Sequence, residues 1–219
     1  MPQSFDRKEV EITEGWLRLP GSLAIPQDPK GLVIFAHGSG SSRNSPRNIQ
    51  VARTLNDSGL ATLLFDLLSP SEAVNRSNVF DVPLLSSRLV LATKACGAWV
   101  SSLPIGYFGA STGAAAALWA ASQLGSEISA VVSRGGRPDL AGPVLNLVSA
   151  PTLLLVGGED TVVLDLNREA LARLSNGDLI VIPEATHLFE EQGALEAVAE
   201  FARRWFIEHF GRVRQRSVA

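Results

Sequence analysis

Cysteine and histidine are scarce in this sequence: one cysteine, Cys96, and three histidines among 219 residues. A lone cysteine makes no internal disulfide and offers no second thiol to a metal, which suits a reducing compartment. An excess of either charge is also missing. The 19 Lys and Arg stand against 22 Asp and Glu, for a formal net charge of −3. The basic residues are scattered, so the chain carries no electrostatic footprint for nucleic acid. The one arginine cluster, "GRVRQRSVA" from Gly211, reads as a solvated tail after the last helix. Long apolar runs are absent, because the longest, "GLATLLFDLL", is broken by Asp66 and is far too short to span a bilayer. The start, "MPQSFDRKEV", holds acidic residues and no apolar segment, unlike a secretory signal. These absences point to a soluble, cytoplasmic protein with neither nucleic acid nor membrane as partner; they leave the oligomeric state open.

Hydrophobic residues make up 46% of the chain, enough for one core, and the expectation is a single α/β domain over residues 1–219. Short apolar runs at 31–38, 60–66, 105–111, 128–136, 151–160 and 178–187 read as buried strands. Upstream, "KEVEITEGWLRLPGSLAIP" alternates charged and apolar residues around Gly15, as an antiparallel edge hairpin does. Segments of helical period lie between, at 46–58, 82–101, 112–124, 164–174 and 192–210. Strands alternating with helices predict a mostly parallel eight-stranded sheet flanked by helices. The connection at 135–151 is too short for a large lid domain. The irregular stretch 67–85, with Pro70 and Pro83, is expected to form one wall of a cleft.

"GASTG", Gly109 to Gly113, sits where an apolar strand meets an alanine-rich helix. This is the G-x-S-x-G pattern of a nucleophile elbow, in which a serine occupies a tight strand-to-helix turn and both glycines must be small. Ser111 is thus the candidate nucleophile. A serine hydroxyl needs a base, normally a histidine oriented by a carboxylate. His209 falls on the apolar stripe of the last helix and His37 directly after a buried strand, both structural positions. His187, in "PEATHLFEE" beyond the last strand, is the candidate base. Asp160, ending "TLLLVGGED" and lying between Ser111 and His187 in the chain, is the candidate orienting acid, with Glu159 as rival. Asp165, Glu184 and Asp139 read as helix-start, loop and surface residues. The oxyanion of a tetrahedral intermediate would be held by the backbone N–H groups of Thr112 and Ser39, the latter in "HGSGSS". Arg134 and Arg137, in "SRGGRPD", follow a strand that faces the cleft; salt bridging is the favoured reading, contact with a substrate anion the other.

With strand–elbow–helix, "HGSG", "GGED" and "ATH" in this order, the chain resembles the α/β-hydrolase superfamily over nearly its whole length. More narrowly, "VVSRGGRPDLAG", "PTLLLVGGEDTVVLDLNREAL" and "ATHLFEE" resemble the dienelactone-hydrolase-like family, whose members include proteins fused to a phosphoribosyltransferase domain; this chain has room for the hydrolase part only. The resemblance implies a triad of Ser111, Asp160 and His187. The namesake enzymes use cysteine in the elbow, whereas here the only cysteine lies in an expected helix, which argues against dienelactones as substrates. The expected activity is hydrolysis of a small carboxylic ester, thioester or lactone through an acyl-enzyme, with no metal or organic cofactor. Two alternatives stand beside it. One is a protein that keeps the fold and binds without turnover. The other is a dinucleotide-binding oxidoreductase, since "VIFAHGSGSSRN" followed by a strand ending in Asp66 imitates that motif, with Arg43 at its third glycine position.

Overall fold

A computed structural model describes residues 5–100 and 102–216. An eight-stranded sheet runs through it in the order β1-β2-β4-β3-β5-β6-β7-β8. The strands are β1 (Phe5–Glu14), β2 (Leu17–Pro26), β3 (Leu32–Ala36), β4 (Ala61–Phe65), β5 (Ile105–Ala110), β6 (Ile128–Arg134), β7 (Thr152–Gly157) and β8 (Gly177–Ile182). The hairpin β1–β2 and the β2–β4 pair are antiparallel, and all other neighbours are parallel. From β3 the chain moves to β4 on one side and then returns to β5 on the other. That reversal is a topological switch point, where a crevice opens beyond the strand ends.

Both faces of the sheet are covered, and β3 shows why its run is uniformly apolar. Leu32, Ile34 and Ala36 join a core with Leu85, Leu89 and Ala92 of α3 (Val82–Cys96) and Ala115 to Ala117 of α4 (Thr112–Leu124). Val33 and Phe35 join a second core with Val51 and Leu55 of α1 (Pro46–Asp57) and Val198, Ala202 and Phe206 of α6 (Ala194–Arg216). A strand with both faces buried reads as a continuous apolar run because every side chain leaves water.

The helices depart from expectation at their ends. α3 stops at Cys96, with Gly97 as C-cap, rather than continuing to 101; residue 101 lies outside the described residues. α5 (Thr161–Leu171) begins three residues early, with Asp160 at the N-cap position but its side chain making no capping bond. α6 runs to Arg216, so the arginine cluster is helical rather than a tail, and an exposed Glu208–Arg212 bond of 2.6 Å (i, i+4) supports its last turns. Residues 217–219 lie outside the described residues. The stretch after β4 is not wholly irregular. Ser69 and Glu72 form a capping box that starts α2 (Pro70–Ala73) with proline at its first position, and a 3-10 turn follows at Asn78–Phe80. A 3-10 helix, Pro138–Leu147, fills the connection before β7. Among the described residues no helix is long and apolar enough to cross a membrane.

Candidate active site

The turn between β5 and α4 carries Ser111 at φ 51° and ψ −120°, a conformation that L-residues rarely adopt. Its main chain is pinned on both sides. Ser111 N–H donates to Arg134 O (3.2 Å), and Ser111 O accepts from Ala114 N–H and Arg137 N–H (both 3.1 Å). The flanking glycines follow from sterics: a Cβ on Gly113 would run into the carbonyl oxygens of Ala36 and His37, and one on Gly109 into the backbone of Ala114. No side chain larger than hydrogen fits at either place, which is the reason for the spacing.

The three histidines separate cleanly. His209 is buried on α6 with its ring 4.3 Å from that of Trp205, and burial lowers its pKa. The His37 Nδ1–H donates to Gly38 O (3.0 Å) while Nε2 accepts from Leu67 N–H (3.2 Å). That pattern requires a neutral ring, and burial accordingly lowers its pKa. Both nitrogens are engaged, so this ring braces the loops after β3 and β4. His187 lies on the loop between β8 and α6, flanked by Glu184 and Phe189 at φ 59° and 56°. Its Nδ1 is 2.6 Å from Asp160 Oδ2. With the carboxylate accepting from Nδ1–H, the lone pair falls on Nε2. Glu159 next door is exposed and has only its backbone N–H engaged, to Ala185 O (3.0 Å). Asp165 pairs with Arg168 on the surface, and Glu184 is exposed.

Ser111 and His187 line one cavity of about 270 Å3, together with Gly38, Ser39, Ala110 and Arg134. Ser111 Oγ makes no hydrogen bond there, which is common in unliganded sites whose contacts tighten on binding. A second, more apolar cavity of about 330 Å3 adjoins it, sharing Gly38, Ser39 and Ser41; Leu67, Leu68, Ala73 and Val79 from the stretch after β4 form its wall. The two expected oxyanion donors are not equivalent. Thr112 N–H, at the start of α4, has no partner, whereas Ser39 N–H donates to Thr112 Oγ1 at 2.9 Å. That N–H is therefore committed to a hydroxyl in the unliganded arrangement.

The two arginines of "SRGGRPD" part company. Arg137 makes a two-pronged bond to Asp139 (2.8 and 2.7 Å), the salt bridge expected for both. Arg134 makes none; it is 8% exposed, and its Nε and Nη1 have no hydrogen-bond partner. The salt bridge expected of Arg134 is thus absent, and the side chain that closes the buried run "ISAVVSR" keeps its charge unpaired. The dinucleotide motif also dissolves. Asp66 Oδ1 accepts from Arg43 N–H (2.8 Å) and Oδ2 lies 3.4 Å from Arg43 Nε, so the acid that would meet a ribose is tied to its own loop. Among the described residues no group of three His, Cys, Asp or Glu gathers to hold a metal.

The comparisons with known proteins agree with this architecture. No family model matches the chain. A dienelactone hydrolase of known structure from Anabaena variabilis ATCC 29413 is 50% identical, with a TM-score of 0.91 over 94% of this chain and 98% of that one. Est1E from Butyrivibrio proteoclasticus shares the fold at 17% identity, with a TM-score of 0.81 over 93% of this chain and 99% of its own. Two Mycobacterium tuberculosis proteins, from strains CDC 1551 and H37Rv, are 57% identical over 209 residues and carry the name "Putative phosphoribosyl transferase". The match covers 92% of this chain and 46% of theirs, so the chain spans about half the length of these curated relatives.

Proposed function

Because this chain belongs to the dienelactone-hydrolase-like family of the α/β hydrolases, we propose that it is a serine hydrolase cleaving a small carboxylic ester, thioester or lactone. The observation that carries this reading is the 2.6 Å contact of His187 Nδ1 with Asp160 on the loop that shares a cavity with the strained Ser111. In the first half-reaction Ser111 Oγ attacks the carbonyl carbon and its proton passes to His187 Nε2. The tetrahedral intermediate then collapses, and Nε2 returns that proton to the departing oxygen or sulfur, leaving an acyl group on Ser111. Water attacks the acyl-enzyme with His187 again as base, which releases the acid and frees the serine. Asp160 fixes the imidazole tautomer throughout. Thr112 N–H is the oxyanion donor open from the start, and Ser39 N–H joins it once the oxyanion replaces the Thr112 hydroxyl as acceptor. No step requires a metal or organic cofactor.

The transferase name of the longer mycobacterial proteins belongs, on this reading, to the part of them that this chain does not match. The 98% coverage of the Anabaena dienelactone hydrolase supports that division. Hydrolysis of 4-nitrophenyl acetate tests the assignment. Ser111→Ala should remove turnover and fluorophosphonate labelling together. Asp160→Asn should slow turnover by about 10²–10⁴-fold, since it holds the wrong tautomer. Near-wild-type turnover in the alanine variant, or a comparable loss in Glu159→Gln, would refute the roles of Ser111 and Asp160.

A further inference from the structure

Arg134 is the last residue of β6, and its register partner on β5 is Ala110, the residue before Ser111. The guanidinium is therefore anchored one strand, about 4.8 Å, from the elbow and lines the same cavity as Ser111 and His187. It is buried, yet among the described residues no carboxylate lies within salt-bridge distance of it. Asp139 is held by Arg137 and Glu190 by Arg47. The Phe189 ring lies near it, with its centroid 5.9 Å from the guanidinium carbon. A cation taken out of water without a counter-charge is strongly destabilising, so buried charges in folded proteins are normally paired. Burial accordingly pushes its pKa down to about 10, which still leaves it charged at neutral pH.

The opposite wall strengthens the pattern. Arg47 and Asn48, in the first turn of the twelve-residue helix α1, line this cavity; Arg47 pairs with Glu190 through Nη1 (2.9 Å), while its Nε is buried without a partner. The helix N-terminus adds partial positive charge. No acidic residue lines the cavity. We propose that Arg134, with Arg47 and the first turn of α1, forms a subsite for an oxyanion group carried by the substrate a few bonds from the scissile carbonyl. The guanidinium is planar, and its Nε and Nη1 are buried and unpartnered; turned into the cavity, they suit a carboxylate or a phosphate, either of which a guanidinium can grip with parallel hydrogen bonds. The neighbouring apolar cavity takes the uncharged part. This assignment rests on the hydrolase reading for its substrate and on the unpaired guanidinium for its charge.

Two matched ester pairs test it: 4-acetoxybenzoate against its methyl ester, with the anion on the leaving side, and monophenyl glutarate against phenyl butyrate, with the anion on the acyl side. In at least one pair the wild-type kcat/KM should favour the anionic ester, and Arg134→Met should cut that ratio by about tenfold or more, the size expected for lost charge-assisted bonds. The Met variant should melt no lower than wild type, since it removes an uncompensated buried charge. If the wild type prefers neither anion, or the ratio survives the substitution, the subsite does not exist. If no ester is turned over, the hydrolase reading fails and calorimetric titration decides separately. Inorganic phosphate or succinate binding to wild type and lost in Arg134→Met upholds the subsite and names the anion; no binding of either overturns it. Should Arg134→Met not fold, Arg134→Lys and Arg47→Gln carry the same readouts.

Discussion

The strain at Ser111 makes a stability prediction that is independent of any substrate. At φ 51° and ψ −120° a side-chain-bearing residue sits outside its favoured wells, at a cost of about 1–3 kcal/mol, whereas glycine enters that region freely. Ser111→Gly releases the strain but adds about 0.5–1 kcal/mol of backbone entropy to the unfolded chain, leaving a net gain of roughly 0–2.5 kcal/mol, with about 1.2 kcal/mol at its centre. For a chain of this size about 2–4 °C accompany each kcal/mol, so the melting temperature should rise, by up to about 10 °C. Ser111→Ala keeps its Cβ, and therefore the strain, and should melt within a degree or two of wild type. Neither variant should turn over ester. Differential scanning calorimetry of the three proteins under one buffer reads the difference directly. An alanine variant as stable as the glycine variant would show that the backbone at this turn stores nothing, and would remove the physical reason for its geometry.

Two further outcomes follow from hydrogen bonds around the site. Thr112→Val keeps the side-chain shape but removes the acceptor of Ser39 N–H; because both main-chain oxyanion donors survive, kcat on 4-nitrophenyl acetate should fall by no more than about tenfold. A loss of about 10²–10³, the size that follows removal of an oxyanion donor, would make the Thr112 hydroxyl itself that donor and overturn the assignment to Ser39. For His37 the folded pKa is depressed below its ordinary 6.5, so the unfolded chain binds the extra proton first. Its contribution is present above pH 6.5 and is lost as acid approaches the lower folded value, when Nε2 no longer accepts from Leu67 N–H. Chemical denaturation from pH 7.5 to 5.5 should show stability falling, and the slope should lessen in His37→Gln; an equal slope in the variant would remove His37 from the explanation.

Much of this molecule was legible in its sequence because the informative signals are local. The strand runs are apolar on both faces, and glycines stand where a Cβ would strike a neighbouring backbone, so periodicity and spacing located β3, β5, α4 and the elbow to within a residue or two. Chain order narrows the partner of His187 to Asp160 or its neighbour Glu159, and the contact with Asp160 decides between them. Helix ends were less visible, since they depend on tertiary company. α6 continues past Gly211 with an exposed Glu208–Arg212 pair along its last turns, and α5 starts early with Asp160 at its N-cap position although that carboxylate meets His187 rather than the helix. The capping box at Ser69 and Glu72 was written plainly in "SPSE" yet was masked by the surrounding prolines. Least legible was what a side chain lacks. Arg134 and Arg137 stand three residues apart, and nothing in their order says that Asp139 will satisfy one and leave the other unpaired.

Three of the five described non-glycine residues at positive φ, and one unpaired buried charge, gather at one edge of the sheet; Asp28 and Ser102, also at positive φ, lie elsewhere. Ser111 at the end of β5 holds a disfavoured backbone, Glu184 and Phe189 bracket His187 at positive φ, and Arg134 at the end of β6 buries a charge without a partner. Each would be destabilising alone, and elsewhere the described chain buries most of its apolar residues in two large cores and a small third cluster around Val156. Folded proteins retain such conflicts where function requires them and offset them with packing elsewhere. Their concentration at the carboxyl ends of β5, β6 and β8, beside the switch point between β3 and β5, marks this edge as the candidate site on physical grounds, without appeal to any relative.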